Sequence, residues 1–202
     1  MTKTWLPRMV FLTLLPASVW AQGIQNMDIF FMAGPSFAKT QVIGGSDVTL
    51  YGSTGYATTV GYGYQVMRRS AVSLWVEIPF LGVNPSAETA SIPGSVTLGT
   101  NIFLMPGVRV MAPIQSRVSI YGAAGGGICG CTNPTLTADN PPKLSTHDTT
   151  HGMFNVGGGV DVRLNRYFSF RVDARDYITG SKLSGAPGRN HVLPTMGFVF
   201  HF

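Results

Sequence analysis

The chain has 202 residues, a formal net charge of +5, 11% charged residues, 45% hydrophobic residues and 25 glycines. So little charge leaves a soluble domain of this size short of surface dressing, and the small, scattered basic excess offers no cluster or helix for nucleic acid. Beyond the N-terminal segment, no apolar run approaches the ~20 residues of a membrane-spanning helix.

Residues 1–21 read as a cleaved secretory leader. Lys3 and Arg8 precede a short apolar core, MVFLTLL at residues 9–15, which Pro16 breaks before a cleavage site ending at Ala21. Its removal leaves residues 22–202 as one domain and, with two basic residues gone, a formal charge of +3.

Within residues 22–202, hydrophobicity alternates at period 2 in segments of about ten residues, the length of a tilted transmembrane strand. A strand sends successive side chains to opposite faces. The first segment, residues 25–34, sets Met27, Ile29, Phe31 and Ala33 on one face and Asp28 on the other. The second, 55–66, sets Tyr56, Thr58, Val60, Tyr62, Tyr64 and Val66 against Ala57, Thr59, Gly61, Gly63 and Gln65. The third, 71–80, carries Val72, Leu74, Val76, Ile78 and Phe80 opposite Ser73, Trp75 and Glu77. The fourth, 100–112, has Ile102, Leu104, Val108 and Val110 outward and Asn101 and Arg109 inward.

The second half repeats the pattern. Residues 117–128 place Val118, Ile120, Ala124 and Ile128 outside, and 152–164 place Phe154, Val156, Val160, Val162 and Leu164 outside with Asn155, Asp161 and Arg163 inside. Residues 167–177 send Phe168, Phe170, Val172 and Ala174 out and Ser169, Arg171, Asp173 and Arg175 in. The last segment, HVLPTMGFVFHF at 191–202, alternates Met196, Phe198, Phe200 and Phe202 with Thr195, Gly197, Val199 and His201.

Connections alternate strictly. Residues 67–70, 113–116 and 165–166 are tight, whereas 35–54, 81–99, 129–151 and 178–190 are long and rich in Gly, Ser, Thr, Pro and Asn. Short periplasmic turns and long outer loops are the outer-membrane pattern, which a secreted soluble barrel has no reason to follow. The expected fold is all-β, an eight-stranded antiparallel up-and-down transmembrane barrel. On the strand count, the loop order and the terminal Phe202, the chain resembles the small outer-membrane barrels that include the OmpA transmembrane domain and OmpX. The segment at residues 171–177, RVDARDY, loosely resembles the seventh strand of opacity-type members. The resemblance implies an integral, cell-surface protein of a Gram-negative outer membrane. Its partners would be outer-membrane lipids and lipopolysaccharide, with the assembly machinery reading the C-terminal strand. A monomer is expected, and no loop ligand can be named.

An eight-stranded barrel is filled by side chains, and charges inside it must be paired. Asp28, Glu77, Arg109, Asp161, Arg163, Arg171, Asp173 and Arg175 face inward. Glu77 should meet Arg109, and the Asp161/Arg163 set should meet Arg171, Asp173 and Arg175. A structural salt-bridge network is favoured over a proton or ion path. Gly125–Gly127 and Gly157–Gly159 lack the Lys or Ser/Thr and helix of a phosphate loop and suit strand curvature and inward bulk. Pro79 and Pro194 are expected near the outer rim, and Pro106-Gly107 is a candidate bulge that would invert the faces on one side of it.

Cys129 and Cys131, at the start of the third long connection, admit a disulfide in an oxidising compartment, free thiols, or a metal site with His147 and His151. The one-residue spacing is short for zinc, so no metal site and no cofactor are expected. Enzymatic lipid modification is one alternative. The histidines His147, His151, His191 and His201, with Ser145 and Ser184, form no outward Ser/His/acid trio, and G-x-S-x-G is absent. No catalytic residue is assigned.

Overall fold

The computed structural model describes residues 25–37, 41–42, 49–51, 54–84, 88–90, 95–96, 101–137, 143–179 and 189–202. The expected leader, Ser184 and most of the fourth long connection lie outside these residues.

In chain order the strands are β1 (Met27–Phe37), β2 (Gln41–Val42), β3 (Thr49–Tyr51), β4 (Thr54–Arg68), β5 (Ser73–Asn84), β6 (Glu88–Ala90), β7 (Ser95–Val96), β8 (Asn101–Leu104), β9 (Gly107–Pro113), β10 (Val118–Thr137), β11 (Lys143–Arg163), β12 (Phe168–Thr179) and β13 (Arg189–His201). All pairings are antiparallel, running β1–β4–β5–β8/β9–β10–β11–β12–β13 and back to β1. β8 and β9 are two halves of one stave, so eight staves close the ring. At the seam Met27 N donates to Phe202 O at 3.1 Å and Phe202 N returns a bond to Met27 O at 3.0 Å. Closure leaves no open edge, the condition for backbone inside hydrocarbon.

Period-2 patterning selects this arrangement. Ile29, Phe31, Tyr56, Val76, Ile102, Phe154, Met196 and Phe198 all stand on the exposed outer surface, with Phe31 61% and Phe198 59% exposed. Near the short-turn end, the rings of Phe168 and Phe200 lie 5.2 Å apart, Phe170 and Phe198 5.6 Å, and Phe200 and Phe202 5.8 Å. That aromatic group is placed as an interfacial girdle would be.

The three tight connections close locally. Arg69 N bonds Val72 O at 2.8 Å, Ile114 N bonds Val118 O at 2.9 Å, and Asn165 Oδ1 accepts from Tyr167 N and Phe168 N at 2.8 and 2.9 Å. Asparagine suits the last turn because its side chain replaces a backbone acceptor.

The connection expected at 129–151 is largely strand: β10 and β11 span 20 and 21 residues and stay paired from Val118↔Val162 to Thr137↔Lys143. That is about twice what a bilayer requires, so this hairpin runs well past the barrel. The first two long connections contribute β2, β3, β6 and β7, which form a separate four-stranded sheet.

Pro106-Gly107 forms no bulge. Phe80↔Leu104 and Glu77↔Gly107 belong to one register, as do Ile128↔Leu104 and Gly125↔Gly107. The proline removes its own N–H from the ladder while Pro106 O still accepts from Gly126 N at 3.0 Å. The irregularity falls instead between Gln65 and Met67 on β4, leaving Val66 and Met67 both outward. Pro79 is buried in the middle of β5, opposite Gly61, and not at the rim.

Candidate functional site: a charged chain and an apolar plug in the lumen

Seven charged groups from five staves meet inside the barrel as one continuous chain. Asp161 on β11 binds Arg171 on β12 at 2.9 Å, and Arg171 reaches Asp28 on β1 at 3.3 Å. Asp28 also takes Arg109 on β9 at 2.5 Å, and Arg109 lies 3.4 Å from Glu77 on β5. Glu77 binds Arg175 on β12 at 2.5 Å, Arg175 binds Asp173 at 2.9 Å, and Tyr121 Oη on β10 donates to Asp173 at 2.5 Å. The guanidinium of Arg109 sits 5.0 Å from the Trp75 ring, and that of Arg171 5.4 Å from both Phe30 and Tyr121. Ring faces thus add cation–π attraction where water is excluded.

All seven groups are at most 5% exposed. Three arginines against four carboxylates leave the chain close to neutral. Burial on this scale is tolerable because every charge has an opposite partner. Two inward glycines make the space. A Cβ at Gly63 would collide with the Asp28 carboxylate, and one at Gly159 would lie 2.7 Å from Tyr121 Oη.

Beyond the charges, toward the long connections, the lumen turns apolar. Leu81, Val83, Phe103, Met105, Met153, Tyr177 and Leu193 pack with Cys129 and Cys131, and the Phe103 and Tyr177 rings are 6.1 Å apart. A cavity of about 10 Å³ lies between the two zones, bordered by Phe30, Pro79, Arg175 and Tyr177. That is room for about one water molecule. The interior is therefore polar in one zone and hydrophobic in the next.

The expected partners are brought together, but not as expected. Glu77 does meet Arg109, yet its closer partner is Arg175 from across the lumen. Arg171 and Asp161 pair as read. Arg163 has inward parity but is exposed at the short-turn mouth, with no place in the chain. Cys129 and Cys131 are disulfide-linked and point into the apolar plug. His151 stands opposite Cys129 on β11, and its Nε2 is 2.8 Å from Thr149 Oγ1. The side chain of His147 is outside the described residues. Among the described residues no group of three His, Cys, Asp or Glu could hold a metal.

One pair escaped the sequence reading. Ser169 Oγ and His201 Nε2 lie 2.7 Å apart, both buried at the short-turn end of the lumen. Both positions have inward parity, so the sequence shows them as two inward residues on adjacent strands. Ser169 is 0% exposed, and among the described residues His201 Nδ1 has no hydrogen-bond partner. A nucleophile needs access to substrate and a base held by a third group. Neither condition is met.

No protein-family model matches the sequence, and no curated protein matches it. Solved structures do. Neisserial surface protein A is 13% identical, covering 87% of this chain and 97% of its own, with a TM-score of 0.55. The N-terminal β-barrel domain of Pseudomonas aeruginosa OprF is 13% identical, covering 88% and 98%, with a TM-score of 0.51. Ail of Yersinia pestis is 14% identical, covering 89% and 100%, with a TM-score of 0.48. The first two likenesses show the fold: this chain is built like those small antiparallel β-barrels.

Proposed function

We propose that the protein is an integral bacterial outer-membrane barrel, closed inside, that acts as a structural or surface-interaction protein through its long extracellular end. The observation that carries this reading is the filled lumen: a charge chain and an apolar plug occupy successive levels, so what the barrel offers its surroundings is outside it. The apolar outer surface and its aromatic girdle support a lipid environment. They make lipids and lipopolysaccharide its immediate neighbours and favour a monomer. The leader at residues 1–21 would direct export, and the alternating C-terminal strand would engage the assembly machinery.

The extended β10–β11 hairpin supports display. A pore needs no paired strands far beyond the bilayer, whereas a surface contact site is held in place by such a scaffold. The reading is of a non-enzyme, and the buried Ser169–His201 pair is assigned to packing. Refolded protein incubated with phospholipid and with lipid A tests this. No fatty-acid release is expected from wild type or Ser169→Ala, and release abolished by Ser169→Ala would replace this function with a hydrolase.

A further inference from the structure

Five arginines that look scattered in the sequence gather at one end of the barrel. Arg68 and Arg69 flank the first tight turn, Arg117 ends the second, and Arg163 and Arg166 frame the third. Arg68, Arg69, Arg117 and Arg163 line a cavity of about 440 Å³ that opens at the short-turn mouth. Its floor holds Trp75, Asp161 and His201, all nearly buried. Among the described residues Asp161 is the only carboxylate on the wall, and it is already bound by Arg171 at 2.9 Å. None of the four cavity arginines forms an ion pair among the described residues.

Four like charges around one opening repel each other, and a bound anion removes that cost. Guanidinium forks match phosphate oxygens in bidentate geometry, while glutamine and serine side chains on the same wall, Gln65, Gln115 and Ser119 among them, add neutral hydrogen-bonding groups. The volume falls within the range of small-ligand sites, roughly 300–1,000 Å³. We propose that this vestibule is a binding site for a phosphate-bearing anion, at the end of the barrel opposite the long connections. The group is either carried by a soluble molecule entering the mouth or presented by the headgroup of an anionic phospholipid. This site goes beyond the display function and does not depend on it.

Trp75 makes the test direct. Trp5 and Trp20 fall in the expected leader, so Trp75 is the only tryptophan of residues 22–202 and it borders the cavity. Inorganic pyrophosphate titrated into leaderless protein in phosphatidylcholine nanodiscs should change Trp75 fluorescence saturably. Arg117→Gln with Arg163→Gln should weaken the response at least tenfold. Arg166→Gln should leave it unchanged, because that guanidinium lies outside the cavity, 4.8 Å from the Tyr167 ring. Heat-modifiable migration verifies that each variant is folded. A response unchanged in phosphatidylglycerol nanodiscs identifies a soluble ligand, and one blocked there identifies the lipid headgroup. No saturable pyrophosphate response in phosphatidylcholine, or equal responses from wild type and the Arg117/Arg163 variant, would overturn the proposal.

Discussion

Asp28 and Arg109 meet at 2.5 Å in the centre of the lumen although no ladder joins their strands. β1 pairs with β4 and β13, and β9 with β5 and β10, so the contact spans the barrel. Asp28 is also the link between Arg109 and Arg171, which makes it the residue whose loss strands the most buried charge. Asp28→Ala should cost about 3–5 kcal/mol, the usual penalty for breaking a buried pair from one side. A double-mutant cycle with Arg109→Met should show a coupling of about 1 kcal/mol or more, whereas Asp28 and Arg166 should be additive. Urea unfolding of refolded protein measures both, and additive Asp28 and Arg109 effects would mean that the two side chains do not meet.

Such a contact could not be read from the sequence. Period 2 gives the face of each residue and placed all seven members of the chain inward. Level and register across the lumen depend on strand tilt and stagger, which alternation does not encode. The same gap explains Arg163, whose parity is inward but whose depth is at the mouth. The 129–151 segment reads as a loop because polar residues such as Asp148 and Thr150 take outward positions, which hides the alternation once a strand leaves the membrane. Pro106 is the residue type that signals a bulge, whereas the irregularity sits at Val66, where nothing in the residue type signals it.

The disulfide leads to a second prediction. Cys129 and Cys131 are two residues apart, so cross-linking them removes little chain entropy, about 1.5 kcal/mol on a loop-closure estimate. Both are nearly buried within the apolar plug. With reductant and a maleimide added together, neither thiol should label until the barrel is unfolded. Rapid labelling of folded protein would place the pair at an open loop instead.

Phe202 and His201 should fail in different ways. Phe202 is 40% exposed on the outer surface, whereas His201 is 4% exposed and bonded to Ser169. Deleting Phe202 should lower the folded pool in outer membranes strongly while changing the stability of refolded protein by about 1–2 kcal/mol. His201→Ala should cost a similar or larger amount of stability, through a lost hydrogen bond and a cavity, with membrane yield reduced less. Equal membrane yields for wild type and the Phe202 deletion would remove the role assigned to the terminal strand in assembly.

Orientation is testable with single cysteines in a Cys129→Ala, Cys131→Ala background. Asp148→Cys, on the exposed part of the β10–β11 hairpin, should label with an impermeant reagent on intact cells. Ser116→Cys, in the second tight turn, should label only after the outer membrane is opened. The reverse pattern would invert the barrel.

Beyond the short-turn vestibule, the ion-pair chain and the apolar plug close the lumen. Refolded protein inserted into a planar lipid bilayer measures this directly. A chain of ion pairs followed by an apolar plug should pass no steady current at any salt concentration that leaves the fold intact. A stable, ion-selective conductance, abolished on unfolding, would contradict the closed lumen and make the Asp28–Arg109–Arg171 chain part of a path instead of a seal.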